Sequence, residues 1–228
     1  MVFIYKNIMK TIKQIDFPTN QYIQEEHKKV QIYLHHTAGN ANAVATFKGW
    51  ESNPEKIATC VTIAGRPDKT KSWEDGDIVQ GYSSKYWAYH LGLKESTFHK
   101  FNLPYKSLDK ISIGVEICNF GQLTYKEGKF YTYVNSVIPT EDVIELKDKF
   151  RGYKFFHSYT DAQIESVKQL LLLWKDKYGI PLTYNEDIWD VNPRALKGES
   201  GVFTHNSVRY DKVDITPQPK MIEMLKSL

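Results

Sequence analysis

The stretch Val30-Gln31-Ile32-Tyr33-Leu34-His35-His36-Thr37-Ala38-Gly39 decides how this chain is read. Val30, Ile32 and Leu34 alternate with Gln31, Tyr33 and His35, the period of a β-strand over residues 29–36. Two imidazoles stand at its end. Neighbours on a strand point to opposite faces, so one histidine is expected to face a site and the other to be its neighbour. A further histidine lies far downstream in Phe203-Thr204-His205, ahead of Lys212-Val213-Asp214. Two imidazoles and one carboxylate form the ligand set of a hydrolytic zinc centre whose fourth position stays open. These parts are distant in sequence, so a fold has to gather them.

Outward from this stretch, helices and strands alternate. Ala43, Val44, Phe47 and Trp50 have helical spacing within 41–50. Residues 57–64 and 111–118 read as buried strands, the latter with Gly114 inside it. Asp75-Gly76 predicts a hairpin between 71–73 and 78–80, and Glu127-Gly128 a second one between Tyr-rich arms. Thr140 with Glu141 and Asp142 predicts a helix over 140–150. Thr160 and Gln163 form a capping-box pattern opening a helix over 160–178, which Gly179 and Pro181 end. A last helix is expected over 220–228. Residues 1–28, polar and broken by Pro18, are expected to lie as an extension on one domain of residues 29–228. The segment 121–158, rich in aromatics, is either a wall beside the substrate or an elaborated surface. This alternation predicts an α/β fold, one sheet covered by helices.

Composition narrows the function. The chain has 228 residues, 41% hydrophobic and 25% charged, as an ordinary globular domain does. Its net charge is only +3 with no dense Lys/Arg block, which argues against a nucleic-acid partner. No stretch has the length to span a membrane. Met1–Lys6 is too short an apolar run for a signal peptide, so synthesis and folding in the cytosol are expected. Cys60 and Cys118 lack metal-motif spacing and are expected to be buried free thiols.

Four motifs in order carry a resemblance. They are His35-His36-Thr37-Ala38-Gly39, Trp87-Ala88-Tyr89-His90-Leu91-Gly92, Ser112-Ile113-Gly114-Val115-Glu116-Ile117, and His205 with Lys212-Val213-Asp214. Together, over about residues 29–220, the chain resembles the zinc N-acetylmuramoyl-L-alanine amidases of the type-2 amidase and peptidoglycan-recognition-protein superfamily, phage endolysins among them. The resemblance implies a central, mostly mixed sheet flanked by helices, with a zinc site in a surface groove. It implies Zn2+ on His35, His205 and Asp214, with Asp211 the alternative third ligand. The family usually has a proline directly after this residue, whereas Ile215-Thr216 precede Pro217 here. It makes Glu116 the group that handles the proton of the attacking water and Lys212 a stabiliser of the oxyanion. His90, with Trp87, is expected to line the substrate groove. Thr37 and Asn119 are candidate contacts to the peptide or the muramyl group.

The implied reaction is hydrolysis of the amide between N-acetylmuramic acid and L-alanine in peptidoglycan. The enzyme is expected to be monomeric and to reach the cell wall after release from the cell. Two rivals remain at this stage: a non-catalytic muropeptide-binding module, and a zinc peptidase cutting within the stem peptide.

Overall fold

A computed structural model describes residues 10–39, 41–67 and 73–228. In chain order the elements are β1 (Ile12–Gln14), β2 (Gln31–His36), α1 (Ala43–Trp50), β3 (Val61–Ile63), β4 (Ile78–Gln80), α2 (Glu95–His99), α3 (Leu108–Ile111) and β5 (Ser112–Ile117). There follow β6 (Gln122–Lys126), β7 (Lys129–Tyr131), β8 (Val137–Ile138), β9 (Val143–Phe150), β10 (Tyr153–His157), α4 (Asp161–Tyr178), α5 (Pro193–Lys197), β11 (Gly201–Thr204) and α6 (Pro219–Lys226).

Six strands form the central mixed sheet in the order β1-β4-β3-β5-β2-β11. β3, β5, β2 and β11 run parallel, while β4 is antiparallel to β3. β1, inside the segment expected to lie on the domain, is an edge strand paired with β4. Every residue of β2 and β5 is buried. The alternation in β2 therefore separates two covered faces. Ile32 and Leu34 pack in the apolar core, and Gln31 and His35 serve a polar face where Gln31 donates to the carbonyls of Ala195 and Glu199.

The helices follow from local signals. Thr160 and Gln163 cap α4 reciprocally, and Gly179 ends it in the left-handed conformation at φ 70°. Ile164, Val167, Leu170, Leu171 and Trp174 bury its inner face. No helix of the described residues is long and apolar enough to cross a membrane. Cys60 and Cys118 are buried and free.

Three expectations change. Residues 140–150 are not a helix: Thr140–Asp142 make one 3₁₀ turn and Val143–Phe150 form β9. The acidic residues at 141–142 favour only a first turn. Beyond it the strand is set by pairing with β10 across Arg151 (φ 50°) and Gly152 (φ 91°), positive angles suited to a tight hairpin. Asp75-Gly76 lies ahead of β4, but its antiparallel partner is β3; Lys71 and Ser72 of the expected arm lie outside the described residues. The strand expected over 57–64 shortens to β3, with Ile57 making an isolated bridge to Tyr89.

The segment 121–158 builds a second sheet of five strands, β8-β7-β6-β10-β9. The Glu127-Gly128 hairpin joins β6 to β7 as read. Tyr125, Phe130 and Phe155 cluster on it, with ring centroids 4.9, 5.1 and 5.9 Å apart. β6 begins at Gln122, which lines the cleft described next.

Candidate active site

Parallel strands place the site. His35 and His36 end β2, Glu116 is near the end of β5, and His205 directly follows β11. These three strands are neighbours and end on the same side, the edge where open α/β sheets gather ligand-binding groups. Glu116 lies in register with His35 on the adjacent strand, so the two side chains share a face. The residues border a cleft of about 400 Å³ that also touches Thr37, Gln122 and Lys212. A second cleft of about 480 Å³ adjoins it, sharing Ile57, His90, His205 and Lys212 and reaching Tyr89, Tyr105 and Arg209.

At the floor, one ligand atom each from His35, His205 and Asp214 lie within 4.8 Å of one another. The Nδ1 atoms of His35 and His205 are 3.0 Å apart, and Asp214 Oδ2 is 3.3 Å from the first and 2.9 Å from the second. His205 Nε2 donates to the Leu91 carbonyl at 2.9 Å, which leaves Nδ1 of the neutral ring with its lone pair toward the group. Two ring nitrogens and a carboxylate oxygen thus converge, and they need a positive charge among them: a shared proton or a cation. The group can hold a metal ion. Burial would raise the Asp214 carboxyl, but the charge that His205 carries when it takes up a proton, and the hydrogen bonds that protonated rings give, outweigh it and hold it well below the usual range. Burial, then the His205 charge, lower His35 to about 4.

His36 is turned away from this group. Its Nδ1 is 2.8 Å from the Tyr159 hydroxyl, which itself accepts from the Thr216 amide. Asp211, the alternative ligand, is half exposed and held by Arg209 and Lys94, which depress its carboxyl strongly. Burial, and then the negative charge of Asp214, hold Glu116 well above the carboxylate range, against the pull of Lys212. His90 is buried, with Nδ1 3.0 Å from His35 Nε2.

Two candidates lie away from the cleft. The Asn119 amide is buried and donates to the carbonyls of His157 and Ser158, while its oxygen accepts from the Gly121 amide. Trp87 is buried beneath Lys110 and beside Tyr89. Neither side chain lines the two clefts: the Asn119 amide is committed to these backbone partners, and the Trp87 ring is covered by its neighbours. Asn206 gave no signal in the sequence. Its buried amide donates to the carbonyls of Asp214 and Ile215 and so anchors the loop that carries Asp214.

Burial holds both His36 and His157 at about 4, and the nearby Asp214 and Asp142 carboxylates only partly oppose it. Folded-state values below the unfolded 6.5 mean that the unfolded chain binds more protons between the two. Stability is then full above about pH 6.5 and falls as pH drops toward 4, by on the order of 2–3 kcal/mol per ring. Urea unfolding of metal-free protein should show a midpoint lower at pH 4.5 than at pH 7, and His36→Phe should reduce the difference. Equal midpoints would mean that these rings accept protons in the folded state.

The profile of the N-acetylmuramoyl-L-alanine amidase family, Amidase_2, matches residues 27–219. The chain belongs to this family. Its enzyme class is that of the N-acetylmuramoyl-L-alanine amidases, hydrolases of an amide bond in peptidoglycan. Among solved structures, this amidase resembles PlyL at 14% identity and a TM-score of 0.50, covering 95% of this chain and 97% of that one. The catalytic domain of XlyA gives 14% and 0.51, covering 95% and 97%. AmpDh3 from Pseudomonas aeruginosa gives 18% and 0.51, covering 100% of this chain and 66% of that one. At such identities the likeness concerns the fold. No curated protein sequence matches significantly.

Proposed function

We propose that the protein is a zinc-dependent amidase that cuts between N-acetylmuramic acid and L-alanine of peptidoglycan. The observation that carries this reading is the convergence of His35, His205 and Asp214 beside Glu116 and Lys212 in one cleft. Two borderline nitrogen donors and one oxygen suit zinc with an open fourth position. Bound there, zinc would supply an activated water and polarise the scissile carbonyl.

The chain's own residues supply the rest. Glu116 takes a proton from the attacking water and returns it to the leaving amine, and its raised affinity for protons matches both halves of that task. Lys212 brings a positive charge to the carbonyl oxygen as it becomes an oxyanion. The cleft over the ligand group and the second cleft that adjoins it offer room for an extended substrate. Because the substrate is a polymer outside the cytosol, the protein acts on the wall after release.

Digestion of purified peptidoglycan tests the bond assignment. Free N-terminal L-alanine should appear while the glycan strands stay intact. New reducing sugar ends would point to a glycosidase, and new termini within the stem peptide to a peptidase.

A further inference from the structure

Behind the two histidines lies a set of buried polar groups that the reaction itself does not use. The Asp109 carboxylate, 4% exposed, accepts with Oδ1 from the backbone amides of His90 at 2.8 Å and Leu91 at 3.0 Å. These two residues then serve the two imidazoles separately. The Leu91 carbonyl takes the Nε2 proton of His205. The His90 ring meets Nε2 of His35 with its Nδ1, and its own Nε2 is 2.9 Å from Ser112 Oγ. Ser112 Oγ lies 3.5 Å from the Asp109 carbonyl, which brings the chain back to its start. Gly114 makes room for it: a Cβ there would lie 3.0 Å from His90 Nδ1 and 2.8 Å from Thr59 Cγ2.

We propose that Asp109 and Ser112 are positioning residues that set the orientation and tautomer of both metal-facing histidines through the His90–Leu91 segment. The proposal rests on reading the His35–His205–Asp214 group as a metal site. The reasoning is geometric. A histidine that offers Nδ1 to a cation must keep its proton on Nε2, and that proton needs an acceptor. For His205 the acceptor is a carbonyl, which admits one direction only. For His35 it is His90 Nδ1, which accepts only if His90 carries its own proton on Nε2. That proton in turn goes to Ser112, whose hydroxyl then points at the Asp109 carbonyl. With a cation bound, every proton in the chain has one place. Asp109 holds both branches at once because a single oxygen fixes the two consecutive amides.

The test is zinc affinity, measured by competition with a chromophoric chelator on metal-free wild type, Asp109→Ala, Asp109→Asn and Ser112→Ala. Circular dichroism of each metal-free variant reports folding. Ser112→Ala should weaken zinc about 10-fold and Asp109→Ala by about 10- to 100-fold, the range for losing a partner of a ligating histidine. Asp109→Asn keeps an acceptor oxygen and should recover most of the loss. Histidine 15N spectra of the zinc-loaded wild type should show His90 protonated on Nε2 and bare on Nδ1. Folded Ser112→Ala and Asp109→Ala proteins with wild-type zinc affinity would overturn the proposal, as would a His90 proton on Nδ1. If Asp109→Ala does not fold, Ser112→Ala and the His90 spectrum decide it. A wild type that binds no zinc would instead overturn the metal reading itself, so the two failures are distinguishable.

Discussion

Alanine at His35 is expected to abolish metal binding and turnover together, whereas alanine at His36 leaves the metal bound. The two rings are adjacent in sequence, yet only Nδ1 of His35 lies with His205 Nδ1 and Asp214 Oδ2, while His36 Nδ1 belongs to the Tyr159 hydroxyl. Removing one of three protein ligands leaves too few donors for tight zinc binding. Removing His36 costs a buried hydrogen bond and a packed ring, an effect on stability. Elemental analysis of the purified variants, alongside lytic activity with and without chelator, measures both. Near-stoichiometric zinc in His35→Ala, or its loss from folded His36→Ala, would mean that the other histidine is the ligand. Wild-type lysis persisting in strong chelator would remove zinc from the mechanism.

The second large effect separates chemistry from metal binding. Glu116→Gln and Lys212→Ala should each retain zinc and fold normally, because neither side chain is in the ligand group. Each should lower kcat by roughly 10²-fold or more, the scale for losing a general base or one oxyanion stabiliser. Glu116→Gln should be the more severe, since one carboxyl handles the proton at both the attack and the departure of the amine. KM for a muramyl peptide should change little, because both groups act on charge that develops during reaction. A Glu116→Gln enzyme with near wild-type kcat would make this carboxylate structural. Zinc loss in Lys212→Ala would show that the loop from His205 to Asp214 folds around the metal.

Local signals made much of the fold legible. The Thr160 capping box, the apolar stripe of α4 and Gly179 mark a helix from end to end because each acts within a few residues. The alternation in β2 and the apolar run of β5 mark strands, the first by its period of two and the second because a strand covered on both faces is nearly continuously apolar. The 140–150 segment misled for the same reason. Its acidic start is a local signal, and its strand state comes from pairing with residues 153–157 across a turn.

The sequence by itself determined which kinds of groups are present and in what order: paired histidines at a strand end, a glutamate within an apolar strand, and a late histidine with Lys212 and Asp214. Those are matters of residue type and spacing, and they sufficed to suggest the family. Only the tertiary structure decided which groups meet. His35 was separated from His36 by the face each takes on β2, and Asp214 from Asp211 by the Arg209 and Lys94 partners that hold the latter. Asp109, Ser112 and Asn206 were invisible in the sequence, because a buried hydrogen-bond acceptor or donor has no signature apart from its partners. Asp109 lies 19 and 18 residues from the amides of His90 and Leu91, and Ser112 lies 22 from His90, so only the folded chain brings them within 3.0 Å.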